Sequence, residues 1–274
     1  MNILYSLNAD AQGLEDILSI EQIKEVSIKL SEKDIQFDKV EDSLNPKLSK
    51  YNIRCISLPD KKAFIENKNM FSTLDKIAKY LQGVAERSWS NTYITLYKKH
   101  TVEELKSIGI FDRIVHDLSV IAKQYPNVFF CIEDSHYEYS YDVKRYDDTF
   151  DFLDYMNMKN VVAGLSVKEV QLLYNLCKVN EDTFRGTLPS VRYFLNLYGK
   201  RVGILHVSKL VNSEEVSSGY KMTNNADINY SYMVLSILSS YDVNCPIVVD
   251  SYDVKDQLST KECLLQVEET LHKN

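Results

Sequence analysis

Glycine and proline are scarce in this sequence, with 8 and 5 among 274 residues, and they are spread along its length. No stretch rich in these residues marks a flexible linker, and the sequence contains neither an internal repeat nor a low-complexity run. A single domain over residues 1–274 is therefore the simplest interpretation.

Long apolar stretches are lacking as well. No segment approaches the ~20 consecutive apolar residues of a membrane-spanning helix, and the first residues lack the basic segment and apolar core of a secretory signal. The five cysteines lie far apart without a CxxC pair, which argues against a zinc knuckle and a disulfide framework. These features predict a cytoplasmic protein with mostly buried, reduced thiols. The cysteines are Cys55, Cys131, Cys177, Cys245 and Cys263.

Clusters of positive charge are also missing. The 32 Lys and Arg residues are scattered among 39 Asp and Glu residues, and the net charge is −7 at pH 7. Non-specific nucleic-acid binding depends on neutralising phosphates, so the charge pattern argues against a nucleic acid as the partner.

Short apolar runs rich in β-branched and aromatic residues alternate with helical patterns along the chain. Because parallel neighbouring strands need a crossover connection, this alternation predicts an α/β fold with a parallel sheet. Eight such runs, in a chain near the ~250 residues typical of the fold, favour a closed (β/α)8 TIM barrel. An open doubly wound sheet would usually carry a glycine-rich turn after its first strand, and residues 8–13 (NADAQG) contain one glycine only. The predicted strands are Ile3–Leu7, Glu25–Leu30, Ile53–Leu58, Tyr93–Leu96, Val128–Ile132, Val161–Leu165, Val202–Val207 and Ile247–Val249.

Several helices have readable starts. The stretches TVEE from Thr101 and STKE from Ser259 fit the capping box, in which a hydroxyl and a carboxylate each bind the other's free backbone N–H. Ser72 is predicted to cap a helix whose apolar stripe contains Leu74, Ile77, Ala78 and Leu81. Further helices are predicted after Asp227 and over Leu188–Leu197.

Polar residues close the apolar runs, and TIM barrels place their sites at the C-terminal mouth, where the strands end. Alternation along the strands allows Glu133, His206 and Asp250 each to end a face that points inward. Two carboxylates and one imidazole make a mostly oxygen site, suited to Mg²⁺ or Mn²⁺ and tolerable for Zn²⁺ or Co²⁺. Each residue also has a structural interpretation: the histidine can be a hydrogen-bonded core residue, and either acid can cap a helix or pair with a lysine.

The order of these strand endings resembles the xylose-isomerase-like TIM barrel superfamily, which includes sugar-phosphate isomerases, epimerases and apurinic-site endonucleases. Its members hold a divalent metal with a Glu after strand five, an Asp after strand six, a His after strand seven and a Glu after strand eight. VFFCIED supplies Glu133, GILHVSK supplies His206, and PIVVDS has Asp250 where a glutamate is usual. The stretch ADINYSYMVLSILSSYDVNCPIVVD also resembles the superfamily's last helix and strand. The resemblance implies a metal held by these three residues, with either acid as ligand or catalytic base.

Other strand ends depart from the superfamily pattern. Ser166 stands where an Asp is expected after strand six, and with Glu169 it fits a helix-capping box. Lys29 stands where a glutamate is common after strand two, and Lys209 replaces an acid that usually follows the strand-seven histidine. Because losing a carboxylate weakens a metal site, these departures indicate a degenerate one.

Four residues are expected to contact a substrate near this site: Lys29, His100, His136 and Lys209. Either histidine, or water, can complete the metal's ligand set. Alternatively, the two lysines can occupy the positive position that a metal would otherwise fill.

Three functions follow from these observations. The first is a sugar or sugar-phosphate isomerase or epimerase that uses a divalent metal and abstracts a proton next to a carbonyl. The second is a non-catalytic barrel that binds a small molecule or a protein partner. The third is a phosphodiesterase related to the apurinic-site endonucleases, for which five histidines and an acidic balance are a poor match.

Overall fold

A computed structural model describes residues 3–8, 25–30, 52–59, 66–68, 71–134, 144–166, 199–207, 209–211, 214–216, 245–249 and 265. None of the described helices is long and apolar enough to cross a bilayer.

Eight parallel strands form a closed barrel, which confirms the predicted fold class. Each of the eight predicted strands is present, and each strand end lies within two residues of its prediction. The strands are β1 (Ile3–Asn8), β2 (Glu25–Lys29), β3 (Asn52–Ser57), β4 (Thr92–Lys98), β5 (Val128–Asp134), β6 (Val161–Ser166), β7 (Val202–Val207) and β10 (Ile247–Val249). Their order around the barrel is β1, β10, β7, β6, β5, β4, β3, β2.

A short antiparallel pair, β8 (Lys209–Val211) and β9 (Glu214–Val216), lies outside the barrel. The prediction did not include it. Strands of three residues are too short for alternation to distinguish them from a loop.

Four helices are described: α1 (Phe71–Ser88), α2 (Val102–Ser107), α3 (Phe111–Gln124) and α4 (Lys144–Met156). The predicted apolar stripe of α1 is buried, but the helix begins at Phe71, so the cap predicted at Ser72 is wrong. The capping box at Thr101 is confirmed, with the Thr101 hydroxyl accepting from Glu104 N at 3.2 Å and the Glu104 carboxylate accepting from Thr101 N at 2.7 Å. The helix starts predicted at Asp227 and Ser259, and the helix over Leu188–Leu197, lie outside the described residues.

The chain comprises two compact units. One contains residues 7–164, and the other contains residues 1–6 and 165–274. Cys55 and Cys131 in the first unit and Cys245 in the second are free thiols, as predicted for them.

In the unit of residues 7–164, alternation along β4 separates a face toward the helices from a face toward the barrel interior. The Thr92 hydroxyl donates to Leu81 O of α1 at 3.2 Å, and the Lys98 ammonium lies 2.6 Å from the Asp148 carboxylate of α4. Even positions of β4 therefore face the helices. Odd positions, which include Thr95 and Tyr97, face the interior.

Asn160, which precedes β6, joins α3 to β5. Its amide nitrogen lies within hydrogen-bond distance of three carbonyl oxygens, those of Ala122, Tyr125 and Val128, and its own carbonyl accepts from Phe130 N at 2.8 Å. The Tyr125 hydroxyl donates to the Asp75 carboxylate of α1 at 3.0 Å. Burial, with this hydrogen bond in addition, raises the pKa of Tyr125 to about 12. These polar contacts fix the helix layer against β5.

Candidate functional site

Glu133 is the penultimate residue of β5 and is 5% exposed. Its Cα partner on β4 is Tyr97, while Cys131, two residues earlier on the same face, is paired with Thr95. Glu133 therefore lies on the interior face of the sheet at the C-terminal end of its strand. The prediction that this strand carries a carboxylate toward the mouth of the barrel agrees with this placement.

Gly164 on β6 makes room for that carboxylate. A Cβ atom at position 164 would lie 2.5 Å from Glu133 Oε1 and 2.9 Å from its Cδ, closer than real Cβ atoms approach their neighbours. The Glu133 side chain thus lies directly over the backbone of the adjacent strand. A glycine inside a strand often marks such a close approach.

Three small side chains lie on the same face of β3 and β4. Thr95 is paired with Ser57 of β3, and the Cys55 thiol lies 3.9 Å from the hydroxyl of each. Ser57 is paired in turn with Lys29, the last residue of β2. The half-buried Lys29 is therefore on the interior face that also carries Glu133.

His206 belongs to the unit of residues 1–6 and 165–274 and is described with it. It is the penultimate residue of β7, is 4% exposed, and is paired with Val248 of β10, which is paired in turn with Leu4 of β1. Its two predicted roles, metal ligand and hydrogen-bonded core residue, stay predictions.

His100 follows β4 by two residues and contacts the carboxylate of Glu66, which no sequence pattern indicates. Its Nδ1 lies 2.6 Å from Glu66 Oε2, and its side chain is 39% exposed. Glu66 is about as far from His100 along the chain as a whole βα unit is long, so no local motif indicates the pair.

Lys98 and Asp148 form a buried ion pair beside this histidine. The Lys98 side chain is 0% exposed, and its ammonium also donates to His100 O at 3.2 Å. The other Asp148 oxygen accepts from Val102 N, at the start of α2, at 2.8 Å. One carboxylate therefore holds both the end of β4 and the start of the next helix.

The remaining predicted site residues are described only in part or not at all. Ser166 ends β6 and Lys209 begins β8, whereas Asp250 and His136 lie outside the described residues. Within the part of the chain that is described, no three His, Cys, Asp or Glu side chains form a group that could hold a metal ion.

No protein-family model and no curated protein sequence matches this chain significantly. Solved structures do match, over nearly the whole of both chains and at low identity. A D-tagatose 3-epimerase-like protein has a TM-score of 0.63 and 14% identity, covering 100% of this chain and 99% of its own. The IolI protein with a bound zinc atom has a TM-score of 0.56 and 14% identity, with 98% and 96% covered.

A third match is a xylose isomerase-like TIM barrel protein from Mycobacterium smegmatis in complex with magnesium. Its TM-score is 0.57 at 10% identity, and 98% of this chain and 97% of that chain are covered. Identities this low show the fold alone. The fold of this chain is that of the xylose-isomerase-like TIM barrels, as the order of its strand endings predicted.

Proposed function

We propose that this protein is a divergent sugar or sugar-phosphate isomerase or epimerase with a divalent-metal site at the C-terminal mouth of the barrel. The observation that carries the proposal is the buried Glu133 carboxylate at the end of β5, seated over Gly164. The similarity to a D-tagatose 3-epimerase-like protein supports a small carbohydrate as the substrate.

The proposed ligands of the metal are Glu133, His206 and Asp250. The first two fit this role because each is a buried penultimate residue of its strand, and the lack of a side chain at Gly164 leaves room for the Glu133 carboxylate. Oxygen and nitrogen donors suit Mg²⁺, Mn²⁺, Zn²⁺ or Co²⁺. When bound, the ion would polarise the substrate's carbonyl and hydroxyl oxygens.

The chain itself would supply the acid and base. A Glu133 or Asp250 oxygen takes the proton from the carbon next to the carbonyl, and the electron pair of that C–H bond forms an enediolate. Returning the proton to the neighbouring carbon gives isomerisation, and returning it to the opposite face gives epimerisation. No oxidant or reductant is needed. Lys29, His100, His136 and Lys209 are the proposed contacts to the substrate.

Metal analysis on untagged protein purified without chelators tests this function. We expect one equivalent of a divalent metal, with affinity reduced at least roughly 10-fold in Glu133→Gln and in His206→Gln. Glu133→Gln keeps the side chain's shape over Gly164 and removes only the charge. The matched control is Glu103→Gln on the exposed face of α2, which should bind metal like the wild type.

The same proteins are then incubated with D-tagatose, or with a phosphate ester of it, in D₂O. Deuterium at the carbon next to the carbonyl, observed by NMR, is expected for the wild type and the Glu103 control only. Absence of metal after addition of Mn²⁺ or Mg²⁺, together with absence of exchange, would contradict the proposal.

One observation favours a second function, a barrel that binds a ligand without turning it over. Lys29 lies on the interior face, at a strand end where the superfamily resemblance implies an acid. An ammonium there can supply the positive charge of a metal. In that case Lys29→Met would abolish ligand binding, and the wild type would contain no metal.

A further inference from the structure

Glu66 and His100 form an ordered carboxylate–imidazole pair in the connections that follow β3 and β4. The Glu66 side chain is 10% exposed, and its Oε2 lies 2.6 Å from His100 Nδ1. Loops after barrel strands lie at the C-terminal face, where TIM-barrel sites are built. The pair therefore lies on the side of the barrel to which the proposed function assigns the substrate.

Backbone contacts hold both partners in place. Glu66 Oε1 accepts from Lys99 N at 2.7 Å and from His100 N at 2.8 Å. Arg113 of α3 donates to Glu66 O at 2.9 Å, and the Lys98 ammonium donates to His100 O. With both carboxylate oxygens engaged, rotation of the Glu66 side chain would break at least two hydrogen bonds.

We propose that Glu66 is a positioning residue that keeps the proton of neutral His100 on Nδ1, so that Nε2 presents a lone pair to a substrate hydroxyl. A carboxylate can only accept, so the atom facing it must be an N–H. This inference rests on the proposed function and extends it from the C–H proton to the O–H proton.

Isomerisation moves an O–H proton as well as a C–H proton. His100 Nε2 takes the proton of the hydroxyl next to the carbonyl, and the Glu66 carboxylate stabilises the resulting imidazolium. The proton then passes to the former carbonyl oxygen, which leaves His100 neutral with its proton again on Nδ1. Atoms and charges balance without a co-reactant.

Glu66→Gln gives a test with a defined readout. The glutamine's amide oxygen can still accept hydrogen bonds from the backbone N–H groups of Lys99 and His100. Its NH₂ group then donates to Nδ1 of His100, so the imidazole proton must be on Nε2. Long-range ¹⁵N–¹H NMR at about pH 8.5, where an ordinary imidazole is neutral, reads the tautomer directly. We expect Nδ1–H in the wild type and in the Glu103→Gln control, and Nε2–H in Glu66→Gln. An Nε2–H wild type, or an unchanged tautomer in Glu66→Gln, would overturn the inference.

Kinetics separate this inference from the function on which it rests. With D-tagatose, we expect Glu66→Gln to lower product formation by roughly 100-fold and to lower deuterium exchange at carbon much less. Equal product formation in Glu66→Gln and Glu103→Gln would overturn the role of Glu66 alone. Absence of exchange in the wild type would overturn the proposed function and the role of the pair together.

Discussion

Gly164 and Glu133 lie on adjacent strands. Because the glycine has no side chain, the Glu133 carboxylate can occupy the space above it. A carboxylate on the interior face loses water on folding, so its position depends on what the neighbouring strands leave open. The space that the Glu133 carboxylate occupies therefore depends on Gly164, a residue without a side chain.

Gly164→Ala should therefore displace Glu133. We expect a loss of roughly 1–3 kcal/mol in the free energy of unfolding, because the added methyl overlaps the Cγ and the carboxylate of Glu133, and this buried side chain must then move. Urea unfolding followed by circular dichroism measures this loss. Metal affinity should fall in the same variant if Glu133 is a ligand.

The matched control is Gly83→Ala in α1, where the nearest heavy atom to an added Cβ is Arg87 Nη1 at 3.4 Å. Alanine is the better helix former, so this variant should gain roughly 0.5–1 kcal/mol. Equal stability of the two alanine variants would show that the lack of a side chain at Gly164 has no structural role.

The sequence predicts an individual candidate site residue only where the alternating pattern of a strand indicates its position. Glu133 and His206 follow apolar alternation, and both lie at strand ends as expected. The sequence also marks Gly164, because a glycine follows the apolar residues of that strand. Which side chain lies over this glycine depends on the neighbouring strand and cannot be read from the sequence. Glu66 has no signal in the sequence, since its contact with His100 is formed by two separate loops.

At the scale of elements, the buried pair of Lys98 and Asp148 ties β4 to α4 and to the start of α2. Removing one partner of an ion pair buried between the strands and the helices destabilises the fold, because the remaining charge has neither its partner nor water around it. The pair thereby also fixes the connection that carries His100.

Asp148→Leu should cost roughly 3–5 kcal/mol, because it leaves the ammonium buried without this carboxylate. The double variant Lys98→Met/Asp148→Leu removes both charges and should recover much of that loss. Thermal and urea unfolding of the two variants and of Lys98→Met complete a double-mutant cycle. A cost below about 1 kcal/mol for the single variant, as for exposed pairs, would contradict a structural role for the pair.

Elements with strong local signals were predicted well. The predictions of the eight barrel strands and of the Thr101 capping box were correct, because both depend on residues that are contiguous in the sequence. A parallel strand buried on both sides is a short continuous apolar run, and a capping box is formed by residues three positions apart. The predicted start of α1 is two residues too late, since Ser72 is one of several polar residues near that end. The β8–β9 pair was missed because its pairing depends on register and not on composition.

At the scale of the molecule, a chain with few glycines and prolines folds as a barrel of eight parallel strands. A closed barrel has no free edge, and opening it exposes rows of backbone N–H and C=O groups that have no other partner. The single domain over residues 1–274, predicted from the lack of a linker, stays a prediction.

One cooperative transition is the expected consequence. In urea, far-UV circular dichroism and the near-UV signal of the 19 tyrosines should give coincident curves. Trp89 fluorescence is a poor probe, because that side chain is already 94% exposed in the folded protein. Asp148→Leu, which acts in residues 7–164, should shift the whole curve to lower urea. Two separate unfolding transitions, of which Asp148→Leu shifts only one, would instead show that the two compact units unfold as independent domains.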